Sequence, residues 1–74
     1  MENHMYDFKV RRVMQTIAAG YARRRNVGNF DSNEKVILEM LLLNSDARLD
    51  VTSKWVSLTS PGQEKLYKLN GMEL

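Results

Sequence analysis

From Tyr6 onward apolar residues return every three or four positions. Tyr6, Val10, Val13, Met14, Ile17 and Tyr21 fall within one stripe at about 100° per residue, which predicts an amphipathic first helix. Arg11, Arg12, Gln15 and Arg23 lie on other faces of that helix, and Phe8 sits off the stripe. Gly20 weakens the helix by about 1 kcal/mol. The helix therefore either continues to Arg25 or breaks near Gly20 and restarts. Asn26-Val27-Gly28-Asn29-Phe30 reads as a loop. Asp31 with Glu34 forms the signature of a capping box, so a second helix is predicted from Ser32 to Leu43. Its apolar residues, Val36, Ile37, Leu38 and Met40 through Leu43, surround it almost completely, which predicts a central, heavily buried helix.

After Asn44-Ser45-Asp46 the period changes to two. Leu49 and Val51 alternate with Asp50 and Thr52, and Val56 and Leu58 alternate with Trp55 and Ser57. Two such runs predict a β-hairpin. Setting Val51 opposite Val56 and Leu49 opposite Leu58 keeps the apolar side chains on one face. A turn at Ser53-Lys54 gives this register. A four-residue loop from Thr52 to Trp55 keeps it and is preferred, because Ser-Lys is a poor two-residue turn. A last helix follows, with Ser60 as expected N-cap, Pro61 at the first helical position, Gln63 completing a capping box and Gly71 as the stop. Residues 1–5 and 72–74 are expected to be disordered.

The segment from Val56 to Leu69 has the form V-x-L-T-x-x-G-x-x-x-L-x-x-L. It resembles the exit of the wing in winged-helix regulators of the MarR-like and PadR-like families, where the last wing strand ends in Leu-Thr and a helix starts at once. Leu58 would anchor the strand, a hydroxyl would cap the helix and Gly62 would allow close backbone packing. Extended backwards, the resemblance makes Tyr21 to Val27 similar to the first helix of a helix-turn-helix and Val36 to Leu41 to its recognition helix. The expected fold is thus α+β and mostly helical, in the order helix–helix–β-hairpin–helix, as in a minimal winged helix. The resemblance implies a small transcriptional regulator that binds duplex DNA as a homodimer.

Size and charge limit these readings. A chain of 74 residues holds one domain and buries roughly 60% of its surface. Self-association would cover more apolar area, and the leucine-rich second helix points the same way. Cysteine is absent and His4 is the sole histidine, so no familiar metal site and no cofactor is expected. No nucleophile–base pair or phosphate loop is evident, so an enzyme is not expected. The polar start predicts no signal peptide, and the longest apolar run, Val36 to Leu43, is too short to cross a bilayer. A cytoplasmic protein without membrane contact is expected.

Residues 1–25 carry six basic and two acidic side chains, against five and seven in the remainder. That asymmetry suits a phosphate-binding surface. Arg23, Arg24 and Arg25 are the expected clamp, joined by Lys54 at the hairpin tip and by Arg48, which could instead pair with Asp46 or Asp50. The second helix offers Glu34, Lys35 and Glu39 and otherwise leucines, so base contacts are expected from Asn29, Asn33 and Lys35 at its start. The competing expectation is a protein-interaction module, an accessory factor of phage or plasmid type, that binds a host protein through the apolar helix or Trp55.

Overall fold

The computed structural model describes residues 4–72. Three helices and one small sheet make up the fold: α1 His4–Ala18, β1 Arg24–Asn26, α2 Ser32–Leu43, β2 Ala47–Leu49, β3 Trp55–Leu58 and α3 Ser60–Asn70. Two short 3-10 turns, Tyr21–Arg23 and Val27–Asn29, flank β1. The fold is α+β and mostly helical, as the periodicity predicts. Met1–Asn3 and the last two residues lie outside the described residues. His4 and Met5 belong to α1, not to a disordered tail.

The stripe of α1 supplies the centre of the core. Val10, Val13, Met14 and Ile17 are buried, Met14 and Ile17 completely. Phe8 stands off that stripe, with the Arg11 and Arg12 guanidinium groups 5.5 and 5.9 Å from its ring centroid. The helix ends at Ala18. A side chain at Gly20 would run into the Arg24 carbonyl, so the chain turns there, and Tyr21 leaves the stripe to stand 94% exposed.

The predicted first helix of a helix-turn-helix, Tyr21 to Val27, is therefore corrected: this segment is a 3-10 turn followed by strand β1. β1 pairs antiparallel with β3, giving the sheet order β1-β3-β2. An arginine run hides the alternation that marks a strand, which is why the pattern missed it.

α2 has the predicted bounds and capping box. Asp31 Oδ1 accepts from the Glu34 amide at 2.8 Å, and Glu34 Oε1 accepts from the Asp31 amide at 2.9 Å. Its burial differs from expectation. Ile37, Leu38 and Leu41 enter the core, while Val36, Met40 and Leu43 face solvent. A core this small takes up one side of a helix, not its whole circumference.

The hairpin register is also corrected. Leu49 pairs with Val56, Arg48 with Ser57 and Ala47 with Leu58, two residues from the predicted pairing. A shift of two preserves which side chains face inward, so Val56, Leu58 and Ala47 still enter the core, but Val51 is left fully exposed in the loop.

α2 ends in a Schellman arrangement: the Asp46 amide donates to the Leu41 carbonyl, the Ser45 amide to Leu42, and Ser45 takes φ 61°. Thr59, not Ser60, caps α3, its Oγ1 accepting from the Gly62 amide at 3.1 Å. The same hydroxyl donates to the Ser45 carbonyl at 2.6 Å, and the Thr59 amide donates to the Asp46 carbonyl at 3.1 Å. Gly62 packs so closely on Asp46 that any Cβ would strike its carbonyl.

Three substitutions separate cap from contact. Thr59→Ala is expected to cost about 1 kcal/mol or more, whereas Ser60→Ala is expected to cost less than half as much. Gly62→Ala is expected to lose about 2 kcal/mol through backbone overpacking. Urea unfolding of the three variants measures the order, and equal losses at Thr59 and Ser60 contradict it.

Candidate nucleic-acid interface

Strand alternation sorts the basic residues by face. Val56 and Leu58 point into the core, so Trp55 and Ser57 point outward. Arg24 and Arg48 are both register partners of Ser57. Their side chains therefore leave the sheet on the same outer face, on either side of a small hydroxyl. Two strand spacings place their Cα atoms about 10 Å apart. Both side chains are exposed. The Arg24 guanidinium also stacks over the Trp55 ring, 4.6 Å from its centroid, a contact that holds its charge near the hairpin.

Arg23 joins this pair from the preceding turn. Ala22 and Arg23 both have left-handed backbones, with φ of 58° and 57°, a cost of roughly 1–2 kcal/mol each for residues with a Cβ. The turn sets Arg23 beside Arg48, Ser57 and Gln63 in a shallow depression, and a neighbouring one is lined by Arg24, Arg48, Trp55 and the acidic Asp50. Among the described residues no carboxylate lies within ion-pair distance of Arg23, Arg24, Arg48 or Lys54; the pairs formed are Lys65 with Asp46 at 3.0 Å and Lys68 with Glu64 at 3.7 Å. Arg48 thus pairs with neither Asp46 nor Asp50.

Arg25 is corrected. As the neighbour of Arg24 in a strand it points to the other face, opposite Val56. Its Nε and Nη2 donate to the Thr16 carbonyl at 3.2 and 3.0 Å. That carbonyl is free because the Gly20 amide bonds Ile17 instead. Arg25 satisfies the open end of α1 and is not part of an outer clamp.

Asn29 lines a small depression with Tyr21, Arg24, Trp55 and part of Arg25. Asn33 and Lys35 lie elsewhere. Asn33 borders the groove between α1 and α2 with Tyr6, Lys9, Arg12 and Val36, and Lys35 is on the exposed side of α2. Lys54 stands at the hairpin tip, which the Val27 amide ties to the end of β1 through the Lys54 carbonyl at 2.9 Å. The structure thus gathers Arg23, Arg24 and Arg48 around Ser57, with Asn29 and Lys54 at the margin. Sequence reasoning missed Ser57 and Tyr21. The alternation of β3 marked Ser57 as outward-facing, while the helical spacing of Tyr21 concealed its exposure.

Asp50 organises the tip. Its carboxylate accepts from the Thr52 hydroxyl at 2.8 and 2.9 Å and from the Lys54 and Trp55 amides, each at 3.1 Å. These bonds, the Thr52 hydroxyl first, together with Arg24, hold its carboxyl below the ordinary aspartate range despite some opposing desolvation.

The chain matches no family model, no curated protein and no solved structure. Among the described residues no helix is long and apolar enough to cross a membrane.

The lowered Asp50 pKa makes the turn pH-dependent. Ionised Asp50 favours the folded turn above its unfolded-state pKa, and that contribution is withdrawn as pH falls through the lowered value. The Lys54 and Trp55 amide resonances are expected to keep their positions from neutral pH to below the ordinary aspartate range and then to move together. In Asp50→Ala they are expected to exchange faster at neutral pH. A midpoint at or above the ordinary aspartate value contradicts the arrangement.

Proposed function

We propose that this protein is a small DNA-binding regulator that holds duplex DNA by its phosphates, using the outer face of the sheet and the hairpin. The observation that carries this reading is the pair Arg24 and Arg48 on either side of Ser57, exposed and, among the described residues, in no direct ion pair, with the Asp50 carboxylate near Arg24 already taken up by the turn. Arg23 adds charge beside Arg48, and Lys54 adds it at the exposed hairpin tip. Exposed guanidinium groups outside any ion pair fit a row of phosphates, which they bind by charge and by forked hydrogen bonds.

The hairpin that leads from Leu58 through Thr59 straight into α3 supports the resemblance to a wing. The outer side of α2 does not support a recognition helix. It carries Val36, Met40 and Leu43, which offer no hydrogen bonds to base edges. DNA therefore meets this protein on the sheet, and base contacts fall to Asn29, while Asn33 and Lys35 are too far round α2 to share in them.

Salt dependence tests the proposal. Binding to random duplex is expected to weaken steeply with added salt. Arg48→Gln is expected to weaken all sequences about equally and to lower the slope of log K against log salt by about 1. Arg25→Gln is expected to leave that slope unchanged and to lower the melting temperature instead. Binding that ignores Arg48, or a slope that falls equally in Arg25→Gln, sinks the reading.

A further inference from the structure

The side of α2 turned from the core carries Val36, Met40 and Leu43, spaced by four and three residues so that they form one stripe. Leu43 is 84% exposed and Val36 59%. The core has no use for them, since α2 already buries Ile37, Leu38 and Leu41. The stripe is continuous with the start of α1, where the Tyr6 hydroxyl donates to Met40 Sδ at 3.2 Å. An apolar surface of this kind, bordered by polar residues, marks a contact face.

The charges beside the stripe say what covers it. Lys35 and Glu39 lie on the same flank, one turn apart. On α3 the pair Glu64 and Lys68, with the same spacing, forms an ion pair, but Lys35 and Glu39 form none. Here lysine precedes glutamate, the weaker order for pairing within a helix. The flank therefore offers one free positive and one free negative charge in sequence. When two identical helices pack antiparallel about a two-fold axis, each flank meets the same flank of the other copy in reverse order. Lysine then approaches glutamate in both directions.

We propose that α2 packs antiparallel on α2 of a second copy of this chain, with Val36 of each copy against Met40 of the other. In that register Lys35 of one copy and Glu39 of the other are offset by two residues, about 3 Å along the axis. Long side chains span that offset easily. The flank becomes a Lys–Glu–Glu–Lys row of zero net charge, and Leu43 of each copy is covered near the start of the opposite helix. The basic sheet face lies apart from this contact and stays open in both copies, so self-association stands independently of nucleic-acid binding.

Sedimentation without DNA tests it, from about 1 µM to about 200 µM protein. The wild-type chain is expected to move from monomer to dimer in this range. Leu43→Glu is expected to weaken the dimer at least tenfold. Lys35→Glu and Glu39→Lys each place four like charges on the flank and are expected to weaken it about fivefold or more. The double variant Lys35→Glu/Glu39→Lys restores the alternation and is expected to recover wild-type association. Circular dichroism melting confirms that each variant folds, and the Lys35/Glu39 series decides the matter if Leu43→Glu does not. A wild-type chain that stays monomeric to the top of the range overturns the proposal. A double variant as weak as the single ones overturns the antiparallel geometry.

Discussion

The fold turns on the contact between Gly62 and the Asp46 backbone. Here the end of α2, the start of β2, the end of β3 and the start of α3 meet within a few residues. Thr59 joins them by three bonds: its hydroxyl donates to Ser45 and accepts from Gly62, and its amide donates to Asp46. Lys65 adds an ion pair to the Asp46 carboxylate, which is itself largely buried. Because glycine lets α3 close on this corner, α3 can bury Leu66 and Leu69 while Gln63 in its first turn borders the depression that holds Arg23 and Arg48. The sheet is thereby covered from one side alone.

Scarcity of core explains where the remaining surfaces lie. Three helices and three short strands share one apolar cluster built around Val13, Met14, Ile17 and Val56. A chain this short cannot supply a second layer. One face of the sheet must then stay in water, and one side of α2 must stay exposed unless something covers it. The sheet solves its half with arginine and serine, which suit water, and with Trp55 half-covered by the Arg24 guanidinium. α2 keeps Val36, Met40 and Leu43 in view, against the usual pattern of an amphipathic helix, and this contrast between two surfaces of one small domain points to two different kinds of contact.

What could be read from the sequence follows from how local each cause is. The bounds of α2 were legible because Asp31 and Glu34 satisfy each other across three residues. The core stripe of α1 was legible as far as Ile17, and failed at Tyr21 because Gly20 meets the Arg24 carbonyl, a contact that spacing cannot show. The hairpin's inward face was legible, since parity survives a shift of two, but its register was not. Apolar matching put Val51 in the ladder. The Asp50 carboxylate captured the Thr52 hydroxyl and two amides instead, ending the strand at Leu49. Similarly, Ser60 and Thr59 are equally good caps on paper, and the tertiary bond from Thr59 to Ser45 selects between them.

The arginine run shows how backbone geometry divides what composition presents as a unit. Three consecutive like charges suggest one clamp, but consecutive side chains on a strand point to opposite faces. Once Arg24 joins β1 and faces outward, Arg25 must face inward, and an inward guanidinium needs acceptors. The end of α1 provides one, because the Gly20 turn frees the Thr16 carbonyl. Arg23, outside the strand, escapes the alternation through its left-handed backbone and returns to the outer face. The bend at Gly20 therefore does two things at once: it strips α1 of a hydrogen bond that Arg25 replaces, and it brings Arg23 round to Arg48. Charge that was adjacent in sequence is parted, and charge twenty-five residues away in sequence is brought beside it.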